Sequence, residues 1–141
     1  MASGSLTVVG TGVRSISQIT PEAREAIESA EVVLYGVADP VTAEWIRTHS
    51  QRSQSLADFY EVGLARPVVY QKMVDAIMEP LRSGKRVCAA FYGHPGFFVT
   101  PSHKAVRLAR AEGIEARMLP GICALDSLSA DLVLQPVVHV T

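Results

Sequence analysis

The chain has 141 residues, 48% of them hydrophobic and 19% charged, which is typical of one folded globular domain and excludes a disordered segment. Thirteen basic residues nearly balance fourteen acidic ones, so we expect no nucleic-acid partner, and no local Lys/Arg cluster argues for one. Glycine, proline or charge interrupts every apolar stretch before it is long enough to span a membrane, so we expect no membrane association.

Apolar segments alternate with helical patterns along the chain. The predicted strands are residues 5–10, 31–36, 86–93 and 115–121. The predicted helices are residues 20–30, a segment that begins at Asp39-Pro40, and residues 67–82, 101–112 and 123–132. Strands joined by helices of this length predict an α/β fold with a parallel sheet and right-handed crossovers, although the strand order cannot be read from the pattern.

Two local features of the predicted helices follow from the residue types. We expect Val41, Trp45 and Ile46 on the inner face of the second helix. We expect Arg66, which precedes Pro67, to be extended at the mouth of the third helix and not inside it.

Ligands of open parallel sheets bind beyond the carboxyl ends of the strands, so the residues that follow each strand are candidate site residues. The first strand ends in Gly10-Thr11-Gly12, which begins a dinucleotide fingerprint, but Ser15 stands in place of its third glycine. A tight glycine turn explains these residues at least as well, so a nicotinamide site is weakly supported.

The third and fourth strands both end in a turn that contains Pro-Gly. Residues 92–96 read Tyr-Gly-His-Pro-Gly, and residues 120–123 read Pro-Gly-Ile-Cys. Glycine lets a backbone approach a ligand closely and proline stiffens a turn. A single turn of this kind is most simply structural, but two at one edge of a sheet favour a ligand cleft.

The histidines and cysteines predict neither a metal site nor a thiol nucleophile. His94 and His103 have no third ligand at a suitable spacing, and Cys88 and Cys123 match no zinc pattern. Nothing orients a base towards Cys123, which is more simply a small buried thiol. So few cysteines indicate a reduced protein, and we expect it in the cytoplasm.

Tyr60, Arg66 and Tyr70 form a further candidate group. Arg66 and Tyr70 are four residues apart, so a guanidinium can lie near a phenol, and a nearby cation favours the phenolate. On these residues alone, a surface arginine between two half-buried tyrosines is the simpler interpretation.

Three segments resemble a known family: VVGTG (8–12), YGHPGFFVTPSHKA (92–105) and ARMLPGICALDSLSADL (116–132). They are similar to the tetrapyrrole-methylase-like class of S-adenosylmethionine-dependent methyltransferases, and within it to the borosin peptide backbone N-methyltransferases. The resemblance covers essentially the whole chain. It implies that residues 3–131 form the cofactor-binding N-terminal domain, a parallel-sheet three-layer sandwich. Residues 132–141 would then begin a linker to a missing second domain.

Carried over position by position, the resemblance implies roles for individual residues. The implied catalytic set is Tyr60, Arg66 and Tyr70. The implied S-adenosylmethionine contacts are Gly10, Gly12, Tyr92, Gly93, His94, Phe97, Cys123 and Ala124. Cys123 stands where relatives often carry a small hydroxyl residue, which weakens any hydrogen bond made there. Val13-Arg14 follows Gly12 where the wider class usually continues Gly-Pro-Gly, which argues against a tetrapyrrole substrate.

The resemblance therefore implies an S-adenosylmethionine-dependent N-methyltransferase domain of RiPP (borosin) biosynthesis. Its substrate would be the backbone amides of a peptide, either its own C-terminal extension or a separate precursor, and its assembly a homodimer. Two alternatives stay open: a methyltransferase of the same class that acts on a tetrapyrrole or other small molecule, and a non-catalytic cofactor-binding or dimerisation module.

Overall fold

The computed structural model describes residues 4–59, 63–96 and 99–133, which form a parallel sheet with helices on both faces. The strands are β1 (Ser5–Gly10), β2 (Val32–Gly36), β3 (Ser53–Ser55), β4 (Arg86–Phe91) and β5 (Glu115–Met118). The α-helices are α1 (Pro21–Ser29), α2 (Pro40–His49), α3 (Arg66–Arg82), α4 (Thr100–Ala111) and α5 (Ala124–Asp131), and a 3₁₀ helix spans Leu56–Phe59. The predicted α/β fold is confirmed.

The strands lie in the order β3-β2-β4-β1-β5, and all pairings between them are parallel. The crossover that leaves β1 passes β4 to reach β2, whereas the crossover that leaves β4 passes β1 to reach β5. Where crossovers leave neighbouring strands in opposite directions, a crevice opens at the carboxyl ends of those strands. The strand order therefore predicts a ligand site at the carboxyl edge of the sheet, near the end of β4.

Alternate residues of the central strands divide the core into two halves. Val8 and Ala89 belong to the half that α3 and α4 cover, and Val9 and Cys88 belong to the half that α1 and α2 cover. All four residues are fully buried. Because both faces of the sheet are covered, the predicted three-layer sandwich is confirmed. None of the helices in the described ranges is long and apolar enough to cross a membrane.

The first two helices begin where their capping residues predict. The Thr20 hydroxyl accepts a hydrogen bond of 3.1 Å from the Ala23 amide, and Pro21 follows as the first helical residue. The Asp39 carboxylate accepts hydrogen bonds from the amides at the start of α2.

The prediction for Arg66 is wrong, and the prediction for the inner face of α2 is wrong for Val41. Arg66 is the first residue of α3 and is not extended outside it, because the Ala65 carbonyl already accepts the Val69 amide at 3.2 Å and so begins the helix one residue earlier. The effect of a proline on its predecessor is a preference that this first turn overrides. On α2, Val41 is 54% exposed, whereas Trp45 is half-buried and packs against the core as predicted. The buried residues of α2 are Thr42, Ala43 and Ile46.

The sequence pattern also missed β3 and the 3₁₀ helix that follows it. β3 consists of Ser53, Gln54 and Ser55, which have no strand signature of their own. These residues become a strand because they pair with residues 33–35 at the edge of the sheet.

Candidate functional site

A cavity of about 940 Å³ opens at the carboxyl ends of β2 and β4. Its wall comes from the segments after these strands, from α3, and from the first turns of α4 and α5. The lining residues are Gly36, Val37, Ala38, Ala57, Tyr70, Met73, Phe91, Tyr92, Gly93, His94, Val99, Thr100, Pro101, Cys123, Ala124, Leu125 and Leu128. This described wall contains no carboxylate, ammonium or guanidinium group. Cavities of this size and apolar character hold small organic ligands.

The turn that follows β4, residues 92–96 (the β4 turn), forms one part of the wall. Tyr92 is 51% exposed and lines the cavity. Gly93 has a φ of 70°, in the left-handed region that favours glycine. The Gly96 amide donates a 2.8 Å hydrogen bond to His94 Nδ1, which places the proton of the neutral imidazole on Nε2.

Gly10 and Gly12 pack against the β4 turn and are not among the described residues that line the cavity. The Gly12 and Gly93 backbones exchange hydrogen bonds of 3.3 and 3.0 Å. A Cβ on Gly10 would lie 1.9 Å from the Gly93 carbonyl oxygen, and one on Gly121 would lie 2.6 Å from the same atom. The structure therefore gives these glycines a packing role, and their predicted contact with a cofactor stays a prediction.

Helix α5 begins at the cavity. The Cys123 amide donates a 2.8 Å hydrogen bond to Asp126 Oδ2, which caps the helix, and Cys123 and Ala124 both line the wall. Cys123 is partly exposed, whereas Cys88 is fully buried in β4, and burial raises the pKa of the Cys88 thiol to about 12. Of the two thiols, Cys123 is the one that lines the cavity.

Tyr70 reaches the same cavity from α3. It is half-buried, packs against the core and lines the wall together with Met73, one turn further on. Arg66 is exposed, and within the described ranges its guanidinium forms no hydrogen bond or ion pair with Tyr70. The predicted pairing of these side chains stays a prediction. Tyr60 and Phe97 lie outside the described residues.

Sequence reasoning missed the apolar residues of the wall, most of which carry no chemical signal. Leu125 and Leu128 are the exception, because they lie three residues apart on a short helix and are 57% and 51% exposed. Apolar residues at that spacing, directly after a candidate ligand turn, predict an apolar helix face. Among the described residues, no group of three or more His, Cys, Asp and Glu side chains is placed to hold a metal ion.

Comparison with known families and structures supports the fold. The family model of Tetrapyrrole (Corrin/Porphyrin) Methylases matches residues 5–140. The structure of cobalt precorrin-4 methyltransferase, a cobalamin biosynthetic enzyme, matches with a TM-score of 0.69 and 20% identity over 96% of this chain and 53% of that chain. Uroporphyrin-III-C-methyltransferase from Thermus thermophilus matches with a TM-score of 0.66 and 23% identity over 90% of this chain and 52% of that chain.

Relatives of higher sequence identity are each named as a methyltransferase and as the precursor of a ribosomally synthesized cyclic peptide. The methyltransferase/dendrothelin A precursor of Dendrothele bispora is 47% identical over 133 residues, and the methyltransferase/omphalotin A precursor of Omphalotus olearius is 46% identical over 133 residues. Each match covers 94% of this chain and 32% of the relative, so the chain spans about a third of the length of these relatives. A type I borosin precursor of Mycena rosella, also named a methyltransferase, is 42% identical over 94% of this chain and 34% of its own length.

The predicted resemblance to the borosin methyltransferases is thereby confirmed. The family match covers nearly the full chain. The parallel sheet with a cavity at its carboxyl edge is consistent with that match. The chain belongs to the family of Tetrapyrrole (Corrin/Porphyrin) Methylases.

Proposed function

We propose that this chain is the methyl-donor-binding domain of an S-adenosylmethionine-dependent N-methyltransferase that acts on the backbone amides of a peptide. The observation that carries the proposal is the convergence of three distant segments on one cavity. The residues that the family resemblance assigns and that meet there are Tyr70, Tyr92, Gly93, His94, Cys123 and Ala124. Membership of the family implies a methyl donor of the S-adenosylmethionine type.

The described residues of the cavity fit S-adenosylmethionine. The apolar wall suits an adenine ring, and the aromatic ring of Tyr92 suits a sulfonium cation. Gly93 brings a backbone without a side chain to the wall, and the first residues of α5 bring further backbone polar groups. When bound, S-adenosylmethionine supplies an electrophilic methyl group.

The substrate amide must be activated, because its lone pair is delocalised into the carbonyl. Tyr70 lies in the cavity wall, where a phenolate can take the amide proton. Arg66 lies one helical turn earlier on α3, where a cation can stabilise the charge that develops on the amide oxygen. Tyr60 shares the base and oxyanion roles with Tyr70 in this proposal.

The partners of the domain belong to the same proposal. The substrate is a peptide, carried as a C-terminal extension of the protein or supplied as a separate precursor, as the names of the relatives indicate for those proteins. A second domain joined through residues 132–141 and a second copy of the chain complete the enzyme. Cys88 and Cys123 are both free thiols, which suits a reducing compartment such as the cytoplasm.

Mass spectrometry of candidate precursor peptides incubated with the full-length protein and S-adenosylmethionine tests the proposal. We expect mass gains of one methyl group each, which fragment spectra place on backbone nitrogens. Methylation of a tetrapyrrole in place of the peptide would support the small-molecule alternative. Calorimetry that detects no binding of S-adenosylmethionine would support a non-catalytic module.

The variant Tyr70→Phe tests the assignment of the base. We expect methylation to slow by about 10²-fold or more, because a positioned base contributes that much, while the affinity for S-adenosylmethionine is unchanged. Tyr35→Phe is the matched control, since the Tyr35 hydroxyl accepts a 3.0 Å hydrogen bond from Arg47 in the other half of the core. A Tyr70→Phe enzyme as fast as the Tyr35→Phe enzyme would contradict the assignment.

A further inference from the structure

We propose that Ser102 and His103, at the start of α4, are positioning residues that hold the β4 turn in the shape that binds the methyl donor. The inference rests on the proposed function, in which Tyr92, Gly93 and His94 contact that donor. Neither Ser102 nor His103 is among the described residues that line the cavity. Both therefore act through the turn and not on the ligand.

Ser102 is a buried donor beneath the β4 turn. Its side chain is fully buried, and its hydroxyl donates to the Pro95 carbonyl and lies 2.8 Å from the Val99 carbonyl. A hydroxyl carries one proton, so the two carbonyls share it. Pro95 is itself buried, so without Ser102 its carbonyl would lose a partner that water does not replace.

The exposed side chain of His103 holds Gly96, the residue of the turn that follows Pro95. Its Nε2 donates a 2.8 Å hydrogen bond to the Gly96 carbonyl. The Gly96 amide in turn donates to His94 Nδ1, and His94 lines the cavity. Gly96 is thus fixed on both sides, and a chain of hydrogen bonds connects His103 to the cavity wall.

Helix α4 is a rigid support for these contacts. Ala105, Val106 and Ala109 are buried in the core half that α3 and α4 share. The turn is therefore fixed to a packed helix on one side and to the Gly12 backbone on the other. Pre-organisation of a binding turn lowers the free energy needed to order it when a ligand binds.

Calorimetry and steady-state kinetics of the full-length protein test the inference. We expect Ser102→Ala to raise both the Kd and the KM for S-adenosylmethionine about tenfold, within the range expected for an unpaired buried carbonyl, and to change kcat far less. We expect His103→Leu to raise both constants about threefold, a smaller effect because this contact is exposed. His103→Gln should restore them, since its side-chain amide can donate from a similar position.

Two control variants separate positioning from general destabilisation. Ser83→Ala removes a 3.2 Å serine-to-carbonyl hydrogen bond at the far end of α3, and Ile27→Val loosens the other half of the core. Both should leave the Kd for S-adenosylmethionine unchanged. Substitutions of the exposed His103 should leave the protein folded. If Ser102→Ala does not fold, comparison of His103→Leu with His103→Gln therefore tests the inference by itself.

Two results would overturn the inference. The first is that His103→Leu and any folded Ser102→Ala protein both have the same Kd and KM for S-adenosylmethionine as the wild-type protein. The second is a loss of affinity in His103→Leu that His103→Gln does not reverse. A wild-type protein that fails to bind S-adenosylmethionine would instead refute the proposed function and, with it, the inference.

Discussion

The loops that follow β1 and β4 leave neighbouring strands at the same edge of the sheet, and both contain glycine, yet only the β4 turn lines the cavity. The β1 loop (residues 11–20) combines internal hydrogen bonds with bonds to the Gly93 backbone and the Asp39 carboxylate. Gln18 Oε1 accepts the amides of Val13 and Arg14 at 2.8 and 3.2 Å. The β4 turn is bonded to α4, which leaves Tyr92 and His94 at the cavity. Of these two exits, the one whose carbonyl groups are bonded to α4 is the one that lines the cavity.

The β1 loop also holds a strained residue. Ile16 has a φ of 64°, a left-handed conformation that is unfavourable for a β-branched side chain. The loop is fixed on both sides of it, because the Ile19 amide donates to the Ile16 carbonyl at 3.0 Å and the Ser15 hydroxyl donates to Asp39. The contact with Asp39 also joins the loop to the start of α2.

The largest effect is expected from Gly10→Ala, which tests the packing role of the β1 exit. The new Cβ would lie 1.9 Å from the Gly93 carbonyl oxygen, so strand and turn must separate. We expect a loss of about 3 kcal/mol or more in the free energy of unfolding, at the upper end of overpacking effects, measured by denaturant unfolding.

Gly113→Ala is the control for Gly10→Ala. Gly113 has a φ of 76°, and no atom of the described residues lies within 4 Å of the position that a Cβ would take there. Only the left-handed backbone is therefore penalised, at about 1–2 kcal/mol. Equal losses in the two variants would show that the close packing of Gly10 does not matter.

The next prediction concerns the rate at which a thiol reagent alkylates Cys123 with and without S-adenosylmethionine in the cavity. Cys88, with its pKa raised to about 12 by burial, stays unmodified at pH 8, and Cys123 reacts. S-adenosylmethionine at ten times its Kd should slow modification of Cys123 by about tenfold, because about one cavity in eleven is then empty. Mass spectrometry follows each site.

A cysteine on the β1 loop makes this labelling a direct comparison of the two loops. Ser17 is exposed on that loop, away from the cavity lining. We expect Ser17→Cys to be alkylated at the same rate with and without S-adenosylmethionine. Protection of that cysteine would mean that the β1 loop also contacts the donor, and the contrast between the loops would fail.

The smallest effect is expected from Asp39→Asn, which loosens the β1 loop. The hydroxyls of Ser15 and Thr42, with the first amides of α2, hold the pKa of Asp39 below its ordinary value of 3.8. A carboxyl group whose pKa falls on folding stabilises the protein above its ordinary pKa, and this contribution disappears as the pH falls through the folded value. We therefore expect a lower melting temperature for Asp39→Asn at pH 7.

The difference between wild type and Asp39→Asn should shrink as the pH falls below 3.8. Asp58→Asn, at an exposed position of the 3₁₀ helix, controls for the change in net charge. The Kd for S-adenosylmethionine at pH 7 should be the same in wild type and Asp39→Asn. A weaker Kd would connect Asp39 to the cavity, either through the β1 loop or through the neighbouring Ala38 of the wall.

Much of the fold and part of the site could be predicted from the sequence. Thr20-Pro21 and Asp39-Pro40 begin helices as predicted, because capping and proline geometry act within a few residues. Tyr92, His94 and Cys123 line the cavity because parallel strands bring their exits to one edge. On α2, Ile46 is buried and Trp45 packs against the core as predicted, but Val41 is exposed, since the rotation of a helix against a sheet depends on its tertiary contacts.

The amino-acid sequence by itself determined the alternation of strands and helices, the burial of the central strands and the family resemblance, all of which are encoded in local patterns. Only the tertiary structure decided that β4 lies between β2 and β1, that Ser53–Ser55 forms a strand, and that Gly10 packs on the β4 turn while Tyr70 reaches the cavity. The physical reason is that these features depend on contacts between residues distant in the chain, which no local pattern specifies.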